Sequence, residues 1–527
     1  MNAQTPPAPA PATWASLPRK SQLFILFLCR AVDFLQVASL QAYIFFQLKS
    51  FDARLSDAAA AAQAGVLQGC FSGAQVVTAV LWGKASDAPW AGRKVVIMTG
   101  LMGTALSCVG YAFVKTFAWA VLWRIVGGGV NGTVGAVRTM VAENASEKRF
   151  QSRAFLLLPL SFNVANVIGP PMGGLLADAP TTLPRFFGRD TIFGFRWIQA
   201  YPYALPSLLN AVFLALVSGL VFFCLEETSP ERKDRYDLGL TIAARIRGIL
   251  SGAPSSSGYS RVETSDLGLG EEDSIVLDTA EVSATNQPNR QSRQKTRQKL
   301  PFHRIWTRNV ILILLTTALF EFQLGAFANL WPLFLSTPRP ASGSAPLAGG
   351  LAFSAPKVGL GMSLLGLLGL PLQLALYPPL QARLGTLRSY RYFLPLFSVA
   401  YLLAPMLAVL PPAAMGGLVM WVGIALVAAC QVLARTFTMP AGIMLLNNGS
   451  PHPSVLGTIH GLGQSVAAGF RTVGPVASGW LYGMGLNAGN VIIGWWGVAG
   501  VAVLCSVSAL WVYEGTGHEI VLEGEEE

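Results

Sequence analysis

Runs of about twenty apolar residues follow one another along this 527-residue chain, and that repetition leaves few folds open. Wound as a helix, such a run crosses the hydrocarbon core of a bilayer. Lipid offers no partner for backbone N–H and C=O groups, so each spanning segment satisfies its own, as a helix does. Twelve spans are expected, at about 21–47, 63–83, 94–114, 117–141, 153–177 and 203–225, then 309–335, 355–380, 391–411, 415–438, 456–482 and 490–513. Only 12% of the residues are charged, against about a quarter in a soluble domain. The expected class is therefore an all-α integral membrane protein.

The net charge of +10 does not call for nucleic acid, because Lys and Arg collect in the cytoplasmic loops of membrane proteins. With the N-terminus cytoplasmic, Arg19, Lys20, Arg93, Lys94, Lys148, Arg149, Arg153, Arg383, Arg388 and Arg391 all fall on that side. The outer side keeps a scatter such as Lys49, Arg54, Lys115 and Lys357, so both termini are expected in the cytoplasm. The six cysteines lie in or beside apolar runs, without zinc-ligand spacing, and read as packing residues.

Residues 1–20 are Pro/Ala-rich and read as a disordered tail, and 515–527 as an acidic one. Between the sixth and seventh spans, 229–308 combines SGAPSSSGYS, an acidic cluster and the basic run RQSRQKTRQK. Such a stretch cannot build a core, so a disordered linker between two six-helix bundles, 21–228 and 309–514, is expected.

The two halves echo each other. Asp33 stands at the same place in span 1 as Glu321 in span 7, and the turn at Gly92 is answered by one at Gly385. Arg138–Thr139 in span 4 is answered by Arg435–Thr436 in span 10, and Gly169 of GPPMGG by Gly474 of GPVASG. Six helices, duplicated, are the plan of a secondary transporter.

With these residues in view the chain resembles the major facilitator superfamily. Gly83, Asp87, Gly92, Arg93 and Lys94 match that family's signature between spans 2 and 3, although Asp87 and Gly92 stand two residues further apart than usual. Arg124 in WRIVGGGVNG matches the span 4 signature, and Gly169, Pro170, Gly173 and Gly174 match the G-P-x-x-G-G of antiporters. The stretches LCRAVDF and NGTVGAVRTMVAEN are similar to the branch of zinc-induced facilitator-like proteins and fungal drug:proton antiporters. The cysteine and histidine motifs of its plant members are missing, so zinc is not the expected cargo. The resemblance implies the major facilitator fold, twelve helices in two pseudo-symmetric bundles, with spans 1, 4, 7 and 10 lining a central cavity. It also implies that the turn at Asp87 is a latch between the halves, made in one conformation and broken in the other.

An ionisable side chain inside a span costs about 2.5–3.5 kcal/mol, so each needs a partner, a wet cavity or a function. Arg30, Asp33, Arg124, Asn131, Arg138, Glu321 and Arg435 are the candidate cavity residues. Arg30 and Asp33, three positions apart, share a helix face and can pair. Asp33 and Glu321 are the candidate proton carriers, since burial favours a carboxylate's neutral form. The chain has no G-x-x-x-x-G-K-[ST], so the proton gradient, with no bound cofactor, is the expected energy source. The reading that follows is proton-coupled export of a small organic molecule by a monomer in the plasma or vacuolar membrane. Uptake by symport or facilitated diffusion is the alternative, a membrane sensor stands third, and nothing suggests an enzyme.

Overall fold

The computed structural model describes residues 17–145, 148–191, 193–229, 232, 235–251, 300–340, 345–411, 417–515 and 519–520. Among the described residues every regular element is a helix. In the first half the spans are Lys20–Gln41 continued by Ile44–Phe51, Asp57–Asp87, Gly92–Ala112, Phe117–Val130 with Thr133–Asn144, Lys148–Leu176 and Ala204–Cys224. In the second they are Arg308–Ser336, Ala355–Pro371 extended to Leu384, Thr386–Phe393 with Pro395–Leu403, Leu418–Asn448, Leu456–Asn487 and Ile492–Ser508. Nine of these helices are long and apolar enough to cross a bilayer; the broken fourth, the glycine-rich eleventh and the 17-residue twelfth are outside that count.

The interruptions follow from the sequence. Three glycines before Asn131 weaken span 4, each costing about 1 kcal/mol against alanine in a helix. The helix stops at Asn131 (φ −83°, ψ 83°), whose side-chain oxygen then accepts from the Thr133 N–H at 3.2 Å and starts the second segment. In span 8, Pro371 lacks the N–H of a regular helix, and a π turn, Leu372–Leu376, follows it.

Each half has an apolar interior. Leu26, Ile97, Leu101, Val137 and Leu214 are fully buried in the first. Trp331, Phe334, Phe397, Tyr401 and Trp495 fill the second.

The halves meet through spans 2 and 11 and through spans 5 and 8. The approach is too close for side chains: a Cβ on Gly65 would lie 2.3 Å from the Pro475 carbonyl oxygen, and one on Gly359 2.3 Å from that of Pro170. Further along span 2, Gly83 faces open space, as do Gly461 and Gly469 of span 11. The halves are therefore closed at the end where span 2 begins. They gape at the end that carries the turn between spans 2 and 3.

The expectation of disorder across 229–308 needs correction at both ends. Leu238–Ser251 is a helix that packs on span 6, with Gly239 against the Phe222 carbonyl. Phe302–Ile305 forms a short 3-10 turn next to buried Leu300. The run LGLTIAARIRGIL has enough Leu, Ile and Ala for a one-sided helix, a pattern masked by the polar residues that follow it. The SGAPSSSGYS and RQSRQKTRQK stretches lie outside the described residues.

Candidate functional site

Asp33 is buried where span 1 crosses the break in span 4. Arg30, one turn earlier, forms an ion pair with its Oδ2. Asn131 Nδ2 donates to Oδ1 at 2.5 Å, and the Thr133 hydroxyl, whose shorter bond goes to Asn131 Oδ1 at 2.6 Å, lies 3.3 Å from Oδ2. The interruption of span 4 thus turns two side chains onto the carboxylate. Glu321 is also buried, in the middle of span 7, but its partner was not anticipated. Arg471 of span 11 grips Oε2 from Nε at 2.9 Å and from Nη2 at 2.7 Å. The two pairs differ in access to water: the Arg30 side chain is 8% exposed, that of Arg471 51%.

Arg138 and Arg435 have no carboxylate partner among the described residues. Arg138, solvent-exposed, reaches across to Gln464 of span 11 at 3.5 Å. Arg435 lies 3.7 Å above the ring centre of Phe162 in span 5, a cation–π contact, and its N–H donors have no acceptor among the described residues. Phe162 packs edge-on against Phe34, which in turn carries the Arg30 guanidinium at 4.3 Å. Arg30, Phe34, Phe162 and Arg435 therefore form a chain of cation–π and ring contacts from one half to the other.

Arg124 does not join these residues. It is buried inside the first bundle, with Nε donating to the Leu67 carbonyl at 3.3 Å and Nη1 to Gln36 Oε1 at 3.4 Å. Its place among the cavity residues is corrected accordingly: near the start of span 4, its helical turn points it at spans 1 and 2.

At the turn between spans 2 and 3, Asp87 ends its helix with a 73% exposed side chain, 3.6 Å from Arg93. The stronger contacts go elsewhere. Arg93 Nη1 donates to Glu143 at 2.5 Å, and Lys94 Nζ to Asp237 at 2.6 Å. Glu227, just after span 6, accepts the backbone N–H groups of Arg93 and Lys94 at 3.2 and 3.0 Å. Those are the first N–H groups of span 3, where the helix dipole favours an anion. Gly92 sits at φ +77°, and a Cβ there would lie 2.5 Å from Glu227 Oε2. Gly83 makes no such contact, and no described residue of the second half is a recorded partner of Asp87.

The GPPMGG element is a joint between helices. A Cβ on Gly169 would lie 3.0 Å from the Leu35 carbonyl oxygen, one on Gly173 2.2 Å from that of Ser39, and one on Gly174 2.2 Å from that of Ala355. With Pro170 against Gly359, it lets span 5 lie directly on spans 1 and 8.

Residues 23–475 match the sequence model of the Major Facilitator Superfamily, which covers most of both halves. The chain belongs to that superfamily. It is 29% identical to the major facilitator superfamily multidrug transporter mfsB of Aspergillus fumigatus, over 95% of this chain and 84% of that one. It is 22% identical to protein ZINC INDUCED FACILITATOR 1 of Arabidopsis thaliana, over 85% of this chain and 81% of that one. Among solved structures the fold is similar to a D-xylose-proton symporter (TM-score 0.61, 13% identity, 95% of this chain and 99% of that one). It is likewise similar to the human organic anion transporter MFSD10 (TM-score 0.54, 18% identity, 93% and 99%).

This major facilitator protein is a transporter, not an enzyme, and a multi-pass membrane protein. Sequence reading missed Arg471, Phe162, Glu143 and Glu227 in its site and turn. Arg471 had a signal, since it is the only Asp, Glu, Lys or Arg in span 11. Phe162 had none: one phenylalanine among 29 is marked only by the guanidinium that settles on it.

Proposed function

We propose that this superfamily member is a proton-coupled antiporter that exports a small organic molecule, such as a drug, a secondary metabolite or an organic acid. The observation that carries the reading is the pair Asp33 and Glu321, at equivalent places in the two halves. Each is buried in mid-span where two helices cross, and each is engaged by an arginine. Charged groups are kept at that depth for ion or substrate pathways. A proton that reaches Glu321 removes the charge that holds Arg471. A substrate and a proton that compete for one carboxylate cannot both be held, and that competition is what exchange requires.

With both termini cytoplasmic, the gaping end faces the cytoplasm, where an exported molecule enters. Arg435, whose guanidinium has no hydrogen-bond acceptor among the described residues, is the first substrate contact we assign, and Arg138 the second. The multidrug relative in Aspergillus fumigatus and the 29% identity over 208 residues to the efflux pump azaK of Aspergillus niger support export. The protein is placed in the plasma or vacuolar membrane as a monomer.

The test uses purified protein in liposomes with an imposed pH gradient and a panel of labelled drugs and organic acids. The wild type should accumulate at least one compound against its gradient, with counterflow of protons. Asp33→Asn and Glu321→Gln should each lose pH-driven accumulation while still binding to the membrane fraction. Accumulation equal to wild type in both variants would sink the assignment.

A further inference from the structure

We infer that the first bundle holds a resident monovalent anion, of chloride's size and charge, against Arg124. The guanidinium is buried in the middle of the bundle, and among the described residues it meets two neutral oxygens and the Phe71 ring at 4.3 Å. Among the described residues no carboxylate pairs with it. Asp33, one turn from Gln36, is taken by Arg30, Asn131 and Thr133. A buried arginine cannot shed its proton, and a buried charge without a counter-charge costs several kcal/mol.

Beside the guanidinium is a small cavity with room for one water-sized occupant, lined also by Gln36, Ser107, Tyr111 and Asn210. Three of these carry polar atoms that are buried and without a partner: Gln36 Nε2, the Tyr111 hydroxyl and Asn210 Oδ1. All three residues are at least nine-tenths buried. The first two are donors that lack an acceptor, and turning the Asn210 amide presents a third. Ser107 and Thr104 spend their hydroxyl protons on backbone carbonyls and leave the cavity to the others.

Donors that converge on a cation without an acceptor describe an anion site. Water would occupy the donors but leave the guanidinium charge standing. Among the described residues the interior of the second bundle is filled by rings instead: Phe327 stacks on Trp331 and Tyr401, and Trp495 meets Phe327 and Trp331 edge-on. The bound ion would tie spans 1, 3, 4 and 6 together through Gln36, Tyr111, Arg124 and Asn210. This assignment is independent of proton coupling at Asp33 and Glu321.

The experiment compares melting of the purified full-length protein after exchange into sodium gluconate with melting in sodium chloride or bromide at equal ionic strength. Chloride and bromide should raise the melting temperature by several degrees, saturably, and bromide should give anomalous density beside Arg124. Arg124→Gln should abolish the difference. Tyr111→Phe, which removes a single unpartnered oxygen, should keep the fold and weaken half-saturation by about tenfold. If Arg124→Gln does not fold, Tyr111→Phe decides alone. Equal melting in gluconate and chloride, or an unchanged chloride dependence in Tyr111→Phe, would mean a resident water only and overturn the proposal.

Discussion

The two buried acidic residues Asp33 and Glu321 are alike in place and unlike in surroundings, and their variants should separate on that account. Removing the charge of Asp33 strands Arg30, which is almost wholly buried. Breaking a buried pair of this kind costs about 3–5 kcal/mol, so Asp33→Asn should melt markedly lower than wild type in detergent. Removing the charge of Glu321 leaves Arg471 half in water, where solvent replaces most of what is lost. Glu321→Gln should therefore cost about 1 kcal/mol or less. A common drop in melting temperature would mean that Arg471 is as dependent on its partner as Arg30. The measurement also guards the transport test, because loss of pH-driven uptake in Glu321→Gln is then not a loss of fold.

Among the elements, the turn between spans 2 and 3 is braced by the segment after span 6 rather than by its own aspartate. Glu227 accepts from the N–H groups of Arg93, Lys94, Thr228 and Ser229, a carboxylate on four backbone donors. Arg232 and Arg235 add bonds to the carbonyls of Ala91 and Pro89, and Lys94 holds Asp237 ahead of the helix Leu238–Ser251. Glu227→Gln halves the acceptor capacity and removes the charge from the helix end, at a cost of about 1–3 kcal/mol. The expected readout is faster amide exchange across 88–95 and 232–240 together, since the two stretches support each other. Unchanged exchange in both would show the brace to be incidental.

For the whole molecule the question is which state Asp87 serves. Here the halves are closed at the start of span 2 and open at the turn, and Asp87 is exposed, its ion pair among the described residues being the long contact to Arg93. Losing such a contact changes stability by about 0.5 kcal/mol or less. A latch made only when the gaping end closes would be lost in Asp87→Ala, which shifts the balance toward the conformation described here. Cysteines placed at Gly461 or Gly469, at the open end of span 11, should then react faster with a maleimide in Asp87→Ala than in the unmutated background. Equal rates, with wild-type transport, would leave Asp87 as a topology anchor.

The fold was legible because a bilayer leaves a chain of this hydropathy one choice, and because duplication repeats its marks at Asp33 and Glu321, Gly92 and Gly385, Gly169 and Gly474. The acidic half of each ion pair was legible too, since a lone carboxylate in an apolar run stands out. Partners were another matter. Arg30 was within reach of Asp33 along one helix, but Arg471 is 150 residues from Glu321 and meets it only when span 11 packs on span 7. Arg124 shared its span with Arg138 and a family signature, yet helix rotation and the break at Asn131 send one into the first bundle and the other toward span 11. The sequence by itself determined which charges must be accounted for inside the membrane. Which of them neutralise one another, and which are left without a counter-charge among the described residues, was decided by helix crossings, because contact distance and not position along the chain sets the strength of a charge pair.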